Sequence, residues 1–107
     1  MDLYKEYIKE RENADIIIKG DGFLKYNIIN GICLVADIFV REESRNILVT
    51  QMMREVTSIA KESGCLLLEA HVHLNTNNPE LSLKACLAFG FKPIEANLNI
   101  IYMTKEI

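Results

Sequence analysis

The stretch from Val35 to Val56, VADIFVREESRNILVTQMMREV, constrains the fold more than any other in the chain. An apolar, β-branched run passes through a charged turn and straight into an amphipathic helix. Ile47, Leu48, Met52, Val56, Ile59 and Ala60 recur at helical spacing and predict a buried stripe on a helix from about Ser44 to Glu62, with Gly64 as its stop. The next apolar run, Cys65 to Leu74, is entered through that helix. A strand–helix–strand crossover returns the chain in the same direction, so this run is expected to lie parallel to the first. The turn itself, Arg41 to Asn46, contains no glycine, although a strand feeding a helix N-terminus is where many proteins hold a phosphate.

The remaining segments attach to this unit. Residues Asp2 to Arg11 predict a short helix, with Leu3, Tyr4, Tyr7 and Ile8 on one face. ADIIIKG predicts a strand closed by the turn Gly20-Asp21-Gly22, and FLKYNII a second strand closed by Asn30-Gly31, a strong hairpin signal. ICLVADIFV is apolar on both faces, as a central strand would be. Asn78-Pro79 opens another helix that ends at Gly90, with Asn78 as its expected cap. GFKPIEAN and LNIIYMTKEI predict a closing pair of strands. The order α-β-β-β-α-β-α-β-β defines an α+β (α/β) fold: one mixed sheet with helices packed on it, in one domain of 107 residues.

Composition narrows the classes of function. Half of the residues are hydrophobic and a quarter charged, the balance of a globular chain. A net charge of −3 without a dense Lys/Arg cluster disfavours nucleic-acid binding, which rests on neutralising phosphates. No apolar run approaches the roughly 20 residues that span a bilayer, and MDLYKEYIKEREN is too charged for a signal peptide. Cys33, Cys65 and Cys86 have neither metal-like spacing nor an even count, so a reducing, cytoplasmic setting is expected.

With the strand, the acidic turn and Arg45-Asn46-Ile47-Leu48-Val49-Thr50 in this register, the chain resembles the core of the GNAT superfamily, the acetyl-CoA-dependent N-acetyltransferases. NNPELSLKACLAFGF is similar to the family's later helix and Gly-Phe segment, Gly90-Phe91 matching best, and NIIYMTKEI to its last strand. The resemblance covers roughly Asp15 to the C-terminus and is nearest to compact, phage-borne members. The family's first strand and first helix have no counterpart.

The resemblance implies acetyl-CoA as cosubstrate, with Phe39 and Val40 supplying strand backbone, and Arg45, Asn46, Leu48, Thr50 and Asn78 near the cofactor. Leu48 and Thr50 stand where the family has glycines, which let backbone approach a pyrophosphate. Arg45 remains as a charge partner. Acetyl transfer needs a neutral amine, hence a general base, and Asp37, Glu69, His71 and His73 are the candidates. Asp37 is expected on the face of the sheet shared by Val35 and Phe39. His71 and His73 alternate with Val72 and Leu74, so they share a face with Glu69. The proton for the departing thiolate comes in the family from a tyrosine four residues before Gly-Phe; Cys86 stands there. Its alternative role is that of a small buried apolar residue.

Two functions follow as expectations. One is an N-acetyltransferase acting on a primary amine of a small molecule or a protein. The other is a GNAT-like protein without catalysis that binds a protein partner. A homodimer is expected, through the N-terminal helix, the strand Asp15–Lys19 or the last strand pair, burying Tyr4, Tyr7 and Ile8.

Overall fold

Asn30 and Gly31 both have positive φ, 52° and 79°, the paired left-handed residues of a tight type I′ turn. They join the longest hairpin of the sheet. The computed structural model describes residues 2–107, leaving aside the side chains of Asp2 and Asn46. In chain order the elements are α1 (Asp2–Glu12), β1 (Asp15–Lys19), β2 (Gly22–Ile29), β3 (Ile32–Val40), a 3-10 turn (Glu42–Ser44), α2 (Arg45–Glu62), β4 (Leu67–His73), α3 (Pro79–Ala88), β5 (Lys92–Ala96) and β6 (Ile100–Glu106). The order is the one expected, and the six strands form one mixed sheet, β1-β2-β3-β4-β6-β5. β3 and β4 are parallel across α2, while every other neighbouring pair is antiparallel.

The main core lies between the sheet and α2. Leu24, Cys33, Met52, Val56, Leu68 and Met103 are fully enclosed there. The expected α2 stripe is shifted at its start: Ile47 is 68% exposed, whereas Met53 is buried. The 3-10 turn sets the phase of the first helical turn, and the buried set becomes Met52, Met53, Val56 and Ala60, again at helical spacing. On the opposite face α1 lies against β1, where Ile8, Ala14 and Ile16 are buried outside the main cluster. Lys25 of β2 donates to Glu12 of α1 at 2.6 Å and fastens the helix. Ile8 is thus already covered within the chain, which corrects its expected place in a dimer interface; Tyr4 and Tyr7 stay exposed.

Packing thins toward the C-terminus. α3 buries no residue, β5 is exposed throughout, and Leu98 between β5 and β6 is 94% exposed. Among the described residues no helix is long and apolar enough to cross a membrane.

One irregularity positions the site. Tyr26 pairs with Val35 but Lys25 pairs with Asp37, so Ala36 is an extra residue, a β-bulge. The bulge resets the alternation of β3. Val35 and Ile38 face the side of Tyr26 and the fully buried Leu24, while Asp37 and Phe39 face the other. Asp37 therefore shares a face with Phe39 and not with Val35, contrary to simple alternation.

Candidate functional site

β3 and β4 are paired only from Ile32↔Leu67 to Val35↔Ala70. Beyond these residues the two strands separate, because the bulge at Ala36 bends β3 away at the point where pairing stops. The backbone of β3 past Val35 and that of β4 past Ala70 are left without each other as partners. Between them opens a cleft of about 240 Å³. It lies at the carboxyl ends of the parallel pair, where α/β sheets gather ligands.

Residues from both faces of the sheet line the cleft. Val49 and Met53 of α2, Ser82 and Cys86 of α3, and Phe89 and Phe91 contribute from the helical side. Asp37 of β3 and His71 and His73 of β4 contribute from the strands, with Thr76 at the mouth. Asp37, His71, His73 and Cys86 are thus brought to one cavity. Phe39 and Val40 do not line it: Phe39 is 54% exposed and packs tilted on Phe23, and Val40 is buried in the core.

His71 is the best-oriented polar group in the cleft. Its Nε2 lies 2.6 Å from Glu69 Oε2, and its ring meets the Tyr102 ring edge-on at 4.8 Å. A carboxylate only accepts, so Nε2 is the donor in this contact, and in the neutral ring Nδ1 is the acceptor. Glu69 itself lies outside the cleft lining and acts on the ring from the same strand face. His73, the last residue of β4, is exposed, and its carbonyl accepts from Thr76 Oγ1 at 2.8 Å. Asp37 faces Lys25 in register, and its charge helps to raise the Lys25 pKa, an effect led by the hydrogen bond to Glu12 and opposed by desolvation. Burial pushes the Cys86 thiol up from its ordinary range. It stays protonated at neutral pH but is a weaker acid than a free thiol. Ser82, one helical turn before Cys86, was not anticipated; its i, i+4 relation to Cys86 was the available signal. Among the described residues no group of His, Cys, Asp and Glu could hold a metal ion.

The turn into α2 is built differently. The Arg45 guanidinium donates through Nη2 to the Val40 carbonyl at 3.4 Å. Leu48 packs half-buried against the core, and Thr50 is half-buried on the same helix. Asn46 opens α2, and its side chain lies outside the described residues. At α3, Asn78 takes the cap position with φ 54° and no side-chain cap hydrogen bond. Its expected capping role is therefore corrected: it supplies a left-handed turn, and its carbonyl accepts from Leu81 N–H at 3.1 Å.

No protein-family model matches this chain, and no curated protein matches it. Solved structures do. The PaiA N-acetyltransferase of Thermoplasma acidophilum, in complex with coenzyme A, superposes with a TM-score of 0.78 at 20% identity, over 98% of this chain and 69% of the other. A protein of Desulfovibrio desulfuricans assigned to the GNAT acetyltransferase family gives 0.78 at 17% identity, over 98% and 79%. The anti-CRISPR protein AcrVA5 gives 0.72 at 15% identity, over 86% of this chain and 97% of its own. With its six-stranded mixed sheet in the order β1-β2-β3-β4-β6-β5 and three helices, this chain has the fold of these GNAT acetyltransferases.

Proposed function

We propose that the protein transfers an acetyl group from the thioester of acetyl-CoA to a primary amine, within the cleft between β3 and β4. The observation that carries this reading is the meeting of an unpaired strand edge and an oriented imidazole in one cavity. An extended amide-bearing chain such as pantetheine can pair with the free edge of β3, as an added strand would. Backbone N–H groups of the segment 36–38, which lines the cleft, then stand near the thioester carbonyl, where negative charge develops. The amine enters from the face that carries Asp37 and His71. As the C–N bond forms, its proton passes to Nδ1 of His71, held by Glu69. The C–S bond breaks, and the released thiolate takes its proton from solvent. Cys86, its thiol raised by burial, serves chiefly to fill space beside Phe89.

Turnover tests this reading. Incubation with acetyl-CoA and a panel of primary amines, from polyamines to lysine peptides, should release one thiol per amide formed. Acetyl-CoA that binds but yields no thiol above the buffer rate with any amine would support the second reading, a non-catalytic protein that binds a protein partner. Leu48 and Thr50 at the glycine positions and Cys86 in place of a tyrosine favour that alternative. A two-fold dimer is proposed alongside either reading, since β1 is a sheet edge and Leu3, Tyr4 and Tyr7 are exposed beside it. Sedimentation equilibrium showing only 12.2 kDa at micromolar concentration would exclude it.

A further inference from the structure

The turn into α2 is already engaged by an anion, and that anion is the protein's own. Asp21, in the turn between β1 and β2, accepts from Ser44 Oγ through Oδ2 at 3.1 Å and pairs through Oδ1 with Arg41 Nη1 at 3.6 Å. Its backbone carbonyl accepts from Arg41 N–H at 3.0 Å. Two amides of the turn are engaged too: Ser44 N–H donates to the Arg41 carbonyl and Arg45 N–H to the Glu42 carbonyl within the 3-10 turn. Arg45 spends its Nη2 on the Val40 carbonyl.

Packing holds the two turns together. A Cβ on Gly22 would come within 2.7 Å of Val40 Cγ2 and 2.9 Å of the Phe39 carbonyl oxygen, so only glycine permits so close an approach. Leu48 reaches toward Gly20 from the helix. Two exposed carboxylates, Glu42 and Glu43, stand at the same helix N-terminus, with Asp21 making a third against Arg41 and Arg45. A pyrophosphate arriving here meets engaged donors and a surplus of negative charge.

We propose that this site recognises its donor through the acyl-pantetheine end alone, with Asp21 standing where a nucleotide's phosphates would bind. The substrate class is then acyl thioesters of pantetheine, for which the nucleotide is dispensable. This inference rests on the acetyl-transfer reading of the cleft, which the test keeps separable.

The test compares acetyl-CoA with S-acetylpantetheine by calorimetric titration, in the wild-type chain and in Asp21→Asn. The expected result is wild-type Kd values within about threefold of each other, since a single charged hydrogen bond to phosphate would alone separate them by about tenfold. In Asp21→Asn, and in Asp21→Ala as a second variant, acetyl-CoA should tighten severalfold while S-acetylpantetheine stays unchanged. Acetyl-CoA binding the wild type about tenfold tighter or more would overturn the inference and leave the proposed function standing. Equal binding with no gain in either variant would overturn the part assigned to Asp21. Binding of neither thioester to the wild type would overturn both this inference and the function on which it rests.

Discussion

The cleft between β3 and β4 and the turn that follows β3 are neighbours in the chain, yet one is open and the other is tied shut. In the cleft, strand backbone lacks its lateral partner and a histidine is oriented by a carboxylate. In the turn, hydroxyl, guanidinium and amide donors are bonded to Asp21, Val40, Arg41 and Glu42. The same strand serves both: the bulge at Ala36 opens the cleft, and the strand's end at Val40 leads into the turn. An unpaired strand edge and an oriented imidazole are therefore concentrated in the cleft, and polar groups bonded within the chain in the turn.

The comparison is broken most strongly from the cleft side. His71→Ala should lower the rate of acetyl transfer by about 10²–10⁴-fold, the usual contribution of a placed general base. Glu69→Gln should cost less, because the ring loses its charged partner but keeps a side chain of the same shape beside it. A His71→Ala variant with unchanged rate would take the chemistry away from β4.

The turn is broken from Gly22. Gly22→Ala forces a methyl against Val40 and the Phe39 carbonyl, and should destabilise the fold by about 1–3 kcal/mol, the range for overpacking. Urea midpoints measure it. Gly31→Ala meets no neighbouring atom, although its φ of 79° still imposes backbone strain; the pair separates crowding from strain.

The closed end of the cleft can be probed by pH. Burial, with a smaller contribution from Cys65, pushes the Cys33 thiol up to about 11 from 9.0. The unfolded chain then releases this proton first, so stability falls as pH rises through that window, by up to about 1.4 kcal/mol per pH unit. Tyr26, raised by desolvation, steepens the loss at higher pH. Cys33→Ala should flatten the decline between pH 9 and 11, leaving the part due to Tyr26. An identical slope in the variant would mean that Cys33 ionises without cost. The smallest effect is expected at Cys86: Cys86→Ala should change the rate by less than about threefold, as for a packing residue.

Much of this was legible in the sequence because local rules and tertiary packing agree. The Asn30-Gly31 turn and the parallel return through α2 both follow from turn chemistry and periodicity. Asp37, His71, His73 and Cys86 stood out in the sequence as separate candidates, and the fold places all four along one cavity. What escaped were features that depend on distant pairs. The bulge at Ala36 has no signature in VAD, so the face of Asp37 was misassigned. The phase of Ile47 depends on a 3-10 turn three residues long. The hold of Asp21 on Ser44 joins residues 23 apart in the chain, and only the folded sheet brings them together.

Backbone amide shifts on titration with acetyl-CoA test the contrast most directly. The account predicts that perturbations concentrate on residues 36–40 and 71–73, with residues 41–46 nearly unmoved. Perturbations centred on residues 41–46, with the cleft silent, would contradict it.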